Sequence, residues 1–259
     1  MHNHKKGLTL LQKSLIVFAL VLLIIVVIFI SYFVYSAANP LPASQTDNSA
    51  MSKEQITITE NKHWFSIKPI QQSAIGIIIY PGAFADPKAY VKAYKEMAKN
   101  GVSVFIIRSP FNFALINTSQ ASDVMKDNPQ IGKWFVAGHS LGGVAACEFT
   151  KQNQQMVSGL ILLASYCNGN ASSLNVPVLT IAGSEDGLST LVDIQSAQAK
   201  LPSGSKLVVI EGANHTQFGS FSKLQPGDNQ AIIPDDQAQQ AILDSIKLFI
   251  NQIASDKSD

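Results

Sequence analysis

Two kinds of hydrophobic pattern divide this chain. No charged residue occurs from Ser14 to Thr46, and the run Leu15–Ile30 contains no polar side chain. Beyond residue 53, apolar residues come in short runs bounded by Gly, Pro, Asn or Ser, and these runs alternate with amphipathic stretches. The pattern predicts a hydrophobic helix over residues 14–38, a linker over residues 39–53 and a globular domain over residues 54–259.

The short runs of the globular part predict strands that alternate with helices. Runs such as "AIGIIIY" (residues 74–80) are apolar throughout, which is typical of strands buried on both faces. The alternation indicates the α/β class, with a mostly parallel sheet covered by helices on both faces and no inserted lid domain. The predicted strands cover residues 55–60, 63–69, 74–80, 102–108, 133–138, 157–165, 176–183 and 205–212, and the predicted helices cover residues 86–101, 190–200, 235–253 and a segment starting near residue 140.

The N-terminal helix is long enough to be a membrane anchor. About 20 apolar residues span the hydrocarbon core of a bilayer, and Lys5, Lys6 and Lys13 lie on one side of the run only. The positive-inside rule then places residues 1–13 in the cytoplasm and the globular domain outside the membrane. A cleaved signal peptide is the alternative, but its apolar core is typically about 7–15 residues long, so the length favours an uncleaved anchor.

Composition excludes several classes of function. The net charge is +1, and downstream of the N-terminal lysines 16 basic residues face 18 acidic ones without a basic stripe, so no nucleic-acid partner is expected. No CxxC or HExxH pattern occurs, so a zinc site has no support in the sequence. The serine chemistry that the motifs below predict needs neither a metal nor an organic cofactor. A bridge between Cys147 and Cys167 is open but not favoured, because Cys147 should lie two helical turns beyond Ser140, away from the strand end that carries Cys167.

The stretch "FVAGHSLGGVAA" contains the first candidate catalytic residue. A predicted strand ends at Ala137, and a helix begins directly after Gly138-His139-Ser140. A serine between glycines at a strand-to-helix turn is typical of a nucleophile elbow, in which glycine lets the backbone pass without a clash. A tight turn that happens to contain serine is the alternative.

A serine nucleophile needs a histidine base, and five histidines are available. His2 and His4 precede the hydrophobic helix, His63 opens an early strand, and His139 is adjacent to the serine, where the elbow aims neighbouring side chains apart. His215 remains, in "EGANHTQFG", directly after a predicted strand. We therefore predict that His215 is the general base.

The other parts of the site should follow two further strands. Asp186 in "IAGSEDGLS" is the candidate acid that orients the imidazole, with Glu185 as its competitor. An oxyanion hole needs two preorganised N–H donors. We expect them to be the backbone N–H groups of Leu141, at the start of the helix, and of Ala83, in a loop where Gly82 allows close approach.

These motifs resemble the α/β-hydrolase superfamily, in particular small lidless bacterial members related to dienelactone hydrolases. The resemblance is carried by "YPGAFADPKAY", "FVAGHSLGGVAACEF", "LLASY", "VLTIAGSEDG", "GANHTQFGSF" and "QPGDNQA" and covers about residues 74 to 230. It implies the fold and a triad in the order Ser140, Asp186, His215. The substrate does not transfer, because dienelactone hydrolases use cysteine as nucleophile, and the His-Gly oxyanion motif of many relatives is Pro81-Gly82 here.

We therefore expect a membrane-anchored serine hydrolase that acts outside the cell as a monomer. Its substrates would be small-molecule or cell-envelope carboxylic esters, cleaved through an acyl-enzyme. Two alternatives stay open: an acyltransferase that uses the same triad on a cell-envelope acceptor, and a catalytically idle binding module on the cell surface.

Overall fold

The computed structural model describes residues 9–45 and 55–255. These residues form two compact units, which divide between Asn39 and Pro40. The predicted cytoplasmic segment, apart from residues 9–13, and residues 46–53 of the predicted linker lie outside the described residues.

The first unit is a single helix that begins earlier than its apolar run. Helix α1 spans Leu10–Ala38, whereas the hydrophobic pattern predicts residues 14–38. The Thr9 side chain accepts the backbone N–H of Gln12 at 3.3 Å, and the Gln12 side chain accepts that of Thr9 at 2.9 Å. This capping box adds a polar first turn. The 29 residues of α1 measure about 43 Å, and by length and composition the helix can cross a membrane.

An eight-stranded sheet forms the centre of the second unit. The strands are β1 (Ile56–Glu60), β2 (Trp64–Pro69), β3 (Ile75–Tyr80), β4 (Ser103–Ile107), β5 (Lys133–His139), β6 (Gly159–Leu163), β7 (Val178–Gly183) and β8 (Lys206–Ile210). Their order in the sheet is β1-β2-β4-β3-β5-β6-β7-β8. β2 pairs antiparallel with β1 and β4, and all other pairs are parallel. The carboxyl ends of β3 to β8 therefore meet at one edge, called here the carboxyl edge.

Helices cover both faces of this sheet, which confirms the predicted fold class. They are α2 (Lys88–Lys99), α3 (Gln120–Lys126), α4 (Leu141–Gln152), α5 (Leu191–Gln198) and α6 (Asp235–Ser255). Buried side chains of α2 and α6 join Phe135 in one apolar layer, and those of α3 and α4 join the next residue, Val136, in the other. The side chains of successive strand residues thus point into opposite apolar layers, as expected for strands buried on both faces.

The first residues of the predicted linker lie against the domain. The N–H of Leu41 donates to the Phe84 carbonyl at 2.7 Å, and the Leu41 carbonyl accepts the N–H of Asp86 at 3.0 Å. Farther on, the N–H of Ser44 donates to the Ser220 carbonyl at 2.8 Å. Residues 40–45, called here the docked segment, therefore belong to the second unit, although the sequence pattern assigns them to the linker.

A disulfide joins Cys147 to Cys167, with 5.5 Å between the Cα atoms. The expectation that these cysteines stay apart is wrong, because α4 runs back alongside the segment that follows β6. A Cβ on Gly143 would overlap the Ser165 side chain, and Lys151 Nζ donates to the Asn168 carbonyl at 2.7 Å. Two turns of helix thus carry Cys147 along this segment rather than away from it.

Candidate active site

Ser140 lies at the sharp turn between β5 and α4. Its backbone has φ 54° and ψ −128°, a left-handed conformation that non-glycine residues rarely adopt. A Cβ on Gly138 would overlap the Gly142 carbonyl, and a Cβ on Gly142 would overlap the Tyr80 carbonyl. Both glycines are therefore sterically required. The N–H of Ser140 donates to the Leu163 carbonyl at 3.0 Å, which ties the turn to β6.

Asp186 and His215 form a buried pair at the carboxyl ends of β7 and β8. His215 Nδ1 lies 2.8 Å from Asp186 Oδ2, and both side chains are 0 % exposed. The other carboxylate oxygen accepts the N–H groups of Leu188 at 2.8 Å and Ser189 at 2.7 Å. With the carboxylate held in this way, Nδ1 carries the proton and Nε2 is left as the basic nitrogen. Glu185, the competing acid, instead accepts the Ser184 hydroxyl at 3.0 Å.

The basic nitrogen of His215 lies beside the elbow. His215 Nε2 is buried and has no hydrogen-bond partner in the described part of the chain, so the bond to the Ser140 hydroxyl is not closed in this structure. The ring of His139, the residue before the serine, is 4.4 Å from the His215 ring between centroids. Serine–histidine bonds are often long without substrate and shorten when substrate binds.

Two N–H groups flank Ser140 with no protein acceptor among the described residues, and they belong to Ala83 and Leu141. On either side of Ala83, the N–H of Gly82 donates to the Tyr90 hydroxyl at 2.9 Å and that of Phe84 to the Asn112 carbonyl at 2.7 Å. A Cβ built on Gly82 would lie 3.5 Å from the Ser140 Cβ. The loop after β3 thus runs beside the serine with the Ala83 donor unoccupied.

A model of the α/β-hydrolase family matches residues 76–240, which include every candidate residue above. The chain belongs to the α/β-hydrolase family. This hydrolase is also similar in fold to the crystal structure of a predicted CIB-like hydrolase from Thermoplasma acidophilum, with a TM-score of 0.54 and 16% identity over 74% of this chain and 99% of the other. No curated protein sequence matches the chain.

The sequence did not reveal a buried network behind the loop that contains Gly82 and Ala83, called here the oxyanion loop after its predicted role. The Tyr90 hydroxyl accepts the Gly82 N–H at 2.9 Å and lies 2.7 Å from His139 Nδ1. Burial raises the pKa of Tyr90, and burial together with the neighbouring His215 holds the pKa of His139 well below its usual range. A neutral tyrosine therefore donates to a neutral imidazole while it holds Gly82 in place.

Asp228 is a second residue that sequence reasoning missed. Its carboxylate accepts the N–H of Gly187 at 3.1 Å, beside the acid, and the N–H of His215 at 3.3 Å. It also accepts the N–H and the hydroxyl of Thr216, at 2.8 and 2.6 Å. Asp228 thus binds the turn that carries Asp186 to the turn that carries His215 in this hydrolase. Its only sequence signal is its place in a Pro-Gly-Asp turn.

Three exposed apolar side chains follow strand ends at the carboxyl edge. Leu141 follows Ser140, Tyr166 lies just after β6, and Leu188 lies two residues after Asp186; all three are exposed. They are called here the apolar rim. In the described part of this hydrolase no group of three or more His, Cys, Asp or Glu residues is arranged to hold a metal ion.

Proposed function

We propose that the protein is a serine hydrolase that cleaves carboxylic esters through an acyl-enzyme. One observation carries the proposal: the Asp186–His215 pair is fully buried, and the His215 ring lies 4.4 Å from the ring of His139, the residue before the strained Ser140. His215 Nε2 has no partner among the described residues. A buried carboxylate on Nδ1 fixes the imidazole tautomer and stabilises the imidazolium that forms when Nε2 takes a proton. In an ordinary surface turn the carboxylate and the imidazole would be exposed to water instead of buried against each other.

The reaction follows from this geometry. Ser140 Oγ attacks the ester carbonyl carbon while its proton passes to His215 Nε2, and the carbonyl oxygen becomes an oxyanion between the Ala83 and Leu141 N–H groups. The C–O bond then breaks, and the imidazolium returns its proton to the leaving alcohol. Water repeats the sequence on the acyl-serine: His215 removes a water proton, the tetrahedral adduct collapses, and the carboxylic acid leaves with Ser140 restored.

The apolar rim supports an apolar acyl group as part of the substrate. Its three side chains stay exposed although each costs free energy in water, about 25 cal/mol per Å² of apolar surface. An acyl chain that covers the rim recovers that energy on binding. The relation to dienelactone hydrolases rests on the sequence motifs alone.

The experiment measures hydrolysis of p-nitrophenyl esters of graded acyl length by the full chain in detergent, beside labelling by a fluorophosphonate. We expect Ser140→Ala and His215→Ala each to lower kcat by several orders of magnitude, and the double variant to lose little more, because the two residues act as one unit. Ser173→Ala, at an exposed loop position, is the matched control and should keep full activity and labelling. Unchanged turnover in Ser140→Ala would overturn the proposal, and transfer to an added alcohol at the expense of hydrolysis would identify an acyltransferase instead.

The proposal includes an uncleaved α1 as anchor, with the catalytic domain outside the membrane. It is supported by the length and composition of α1 and by Lys5, Lys6 and Lys13, which precede the uncharged run from Ser14 to Thr46. Protease added to intact spheroplasts should digest the domain, and lysis should add nothing further. Protection of the domain until lysis would reverse the orientation.

A further inference from the structure

A cleft of about 690 Å³ lies beside the oxyanion loop, at the carboxyl end of β4. It is called here the β4 cleft. Asp86 and Pro87, three and four residues after Ala83, form part of its wall. None of the candidate triad residues lines it, so it is separate from the serine although it lies at the same sheet edge.

The β4 cleft is lined by more positive than negative charge. Lys62, Lys88 and Arg108 line it against a single carboxylate, that of Asp86. Neither lysine forms an ion pair in the part of the chain that the structure describes. Arg108 is held in position, because its guanidinium bonds Glu60 at 3.0 Å. An anionic group in the cleft would therefore meet two ammonium groups that form no ion pair and a guanidinium that Glu60 already holds.

Two buried polar atoms at the cleft have no hydrogen-bond partner among the described residues. Gln120, which is only 4% exposed, uses its amide nitrogen on the Arg108 carbonyl at 3.2 Å, and its oxygen Oε1 is unpartnered. Ser109 Oγ is unpartnered as well. Buried polar atoms in native proteins nearly always have partners, so such exceptions indicate a missing donor or acceptor. An amide oxygen accepts only from a donor such as a hydroxyl.

We propose that the β4 cleft binds a phosphorylated polyol, a class whose simplest member is glycerol phosphate. The cationic side chains match the phosphate, and the Gln120 oxygen with the Ser109 hydroxyl matches the hydroxyl groups. Inorganic phosphate offers hydroxyl donors only on the phosphorus that the lysines would bind, whereas a phosphorylated polyol carries hydroxyl groups apart from its phosphate. An uncharged sugar would leave the lysines unpaired.

The position of the cleft assigns it to the alcohol side of the substrate, an assignment that rests on the proposed function. Only β3 separates β4 from β5, the strand that carries Ser140. Neighbouring strands lie about 4.8 Å apart, so the carboxyl ends of β4 and β5 are about 10 Å apart across the sheet. In an acyl ester of a phosphorylated polyol whose carbonyl lies at Ser140, the phosphate would extend toward the cleft.

The binding test titrates sn-glycerol 3-phosphate into the full-length Ser140→Ala variant in neutral detergent, by calorimetry. We expect it to bind at least tenfold more tightly than glycerol or inorganic phosphate, and Lys62→Gln to weaken it at least fivefold. Lys62 is exposed, so this variant keeps the fold. Lys95→Gln removes the same charge from α2 outside the cleft and should change nothing. Equal affinities for Lys62→Gln and Lys95→Gln, or no binding, would overturn the site.

A second arm identifies the source of the group, because phosphorylated polyols occur as lipid headgroups and as free solutes. The titration is repeated in nanodiscs of phosphatidylglycerol and of phosphatidylcholine. Competition by phosphatidylglycerol alone would support the site with a lipid headgroup as its ligand. Undiminished binding in both lipids would support the site with a soluble ligand.

The substrate assignment is tested by kcat/KM for butyryl glycerol phosphate and for butyrylglycerol. We expect the phosphorylated ester to be favoured about tenfold, and Lys62→Gln to remove the preference while the butyrylglycerol rate stays unchanged. Equal values for the two esters would refute the assignment alone. If the enzyme hydrolyses neither of these esters nor any p-nitrophenyl ester, the proposed function is refuted. The binding test on the Ser140→Ala variant does not depend on hydrolysis and would still show whether the cleft binds the phosphorylated polyol.

Discussion

Tyr90→Phe should separate the support of the oxyanion loop from the chemistry at Ser140. The substitution removes one buried oxygen and leaves two groups without a partner, the Gly82 N–H and His139 Nδ1. Each orphaned buried group costs about 1–3 kcal/mol, so the variant should lose about 2–6 kcal/mol of unfolding free energy. Domains are typically stable by about 5–15 kcal/mol, so we expect a folded protein with a lower Tm.

The effect of Tyr90→Phe on catalysis should exceed what lost stability explains. Complete loss of an oxyanion donor lowers kcat by about 10²–10³. In Tyr90→Phe the Ala83 donor is still present but its loop has lost the bond that fixes Gly82, so we expect kcat to fall by about 10- to 100-fold. KM should change little, because the donor acts mainly on the oxyanion of the transition state.

Tyr94→Phe is the matched control. Tyr94 is one turn farther along α2, is equally buried and stacks on Tyr90, but its hydroxyl donates to the Phe218 carbonyl at 2.9 Å. The Tyr94→Phe variant therefore loses one buried hydrogen bond but keeps the bond between Tyr90 and Gly82. The assay measures ester turnover and thermal melts for both variants at a temperature where each is folded. Equal kcat values in the two variants would refute the positioning role of Tyr90.

Three further predictions follow from contacts described above. Asp186→Asn should lower kcat by about 10⁴, because it reverses the imidazole tautomer, whereas Glu185→Gln should leave ester turnover nearly unchanged; a larger loss in the second variant would transfer the acid role. A fragment beginning at residue 55 lacks the docked segment, so it should have a lower Tm and a lower kcat than one beginning at residue 40. Equal values would mean that the segment supports neither the loop of Phe84 nor the loop of Ser220. Reduction of the Cys147–Cys167 bridge, which closes a separation of 20 residues, should remove about 3 kcal/mol and lower the Tm by roughly 6–12 °C; two titratable thiols in the untreated protein would contradict the bridge.

The fold was largely predictable because its central strands, β3 to β7, are buried on both faces. Continuous apolar runs between turn residues identify such strands without any knowledge of their neighbours. Helix α3 was missed, since the seven residues of Gln120–Lys126 are too few for a helical period to stand out. The docked segment was also missed, because its contacts to Phe84 and Ser220 are backbone hydrogen bonds that no side-chain pattern reveals.

The candidate site was predictable where chain order and residue type restrict the choice. Ser140 could be recognised from its glycines, and His215 remained after the other histidines were set aside. The roles of Tyr90 and Asp228 could not be found in this way, because each depends on residues from different strand ends that meet only in the folded chain. The wrong expectation for the cysteines has the same cause, since it depended on the direction in which α4 crosses β6.

The disulfide has a consequence for when the protein becomes stable. It ties α4, the helix directly behind Ser140, to the segment that follows β6. Such bonds persist in oxidising compartments and are rare in the cytosol, where thiols are kept reduced. If the domain is exported as proposed, the newly made chain lacks this bond until it has crossed the membrane, and the precursor is easier to unfold than the mature enzyme. The same timing applies to recombinant production: protein made in a reducing cytosol carries two thiols, whereas protein made in an oxidising periplasm carries the bridge.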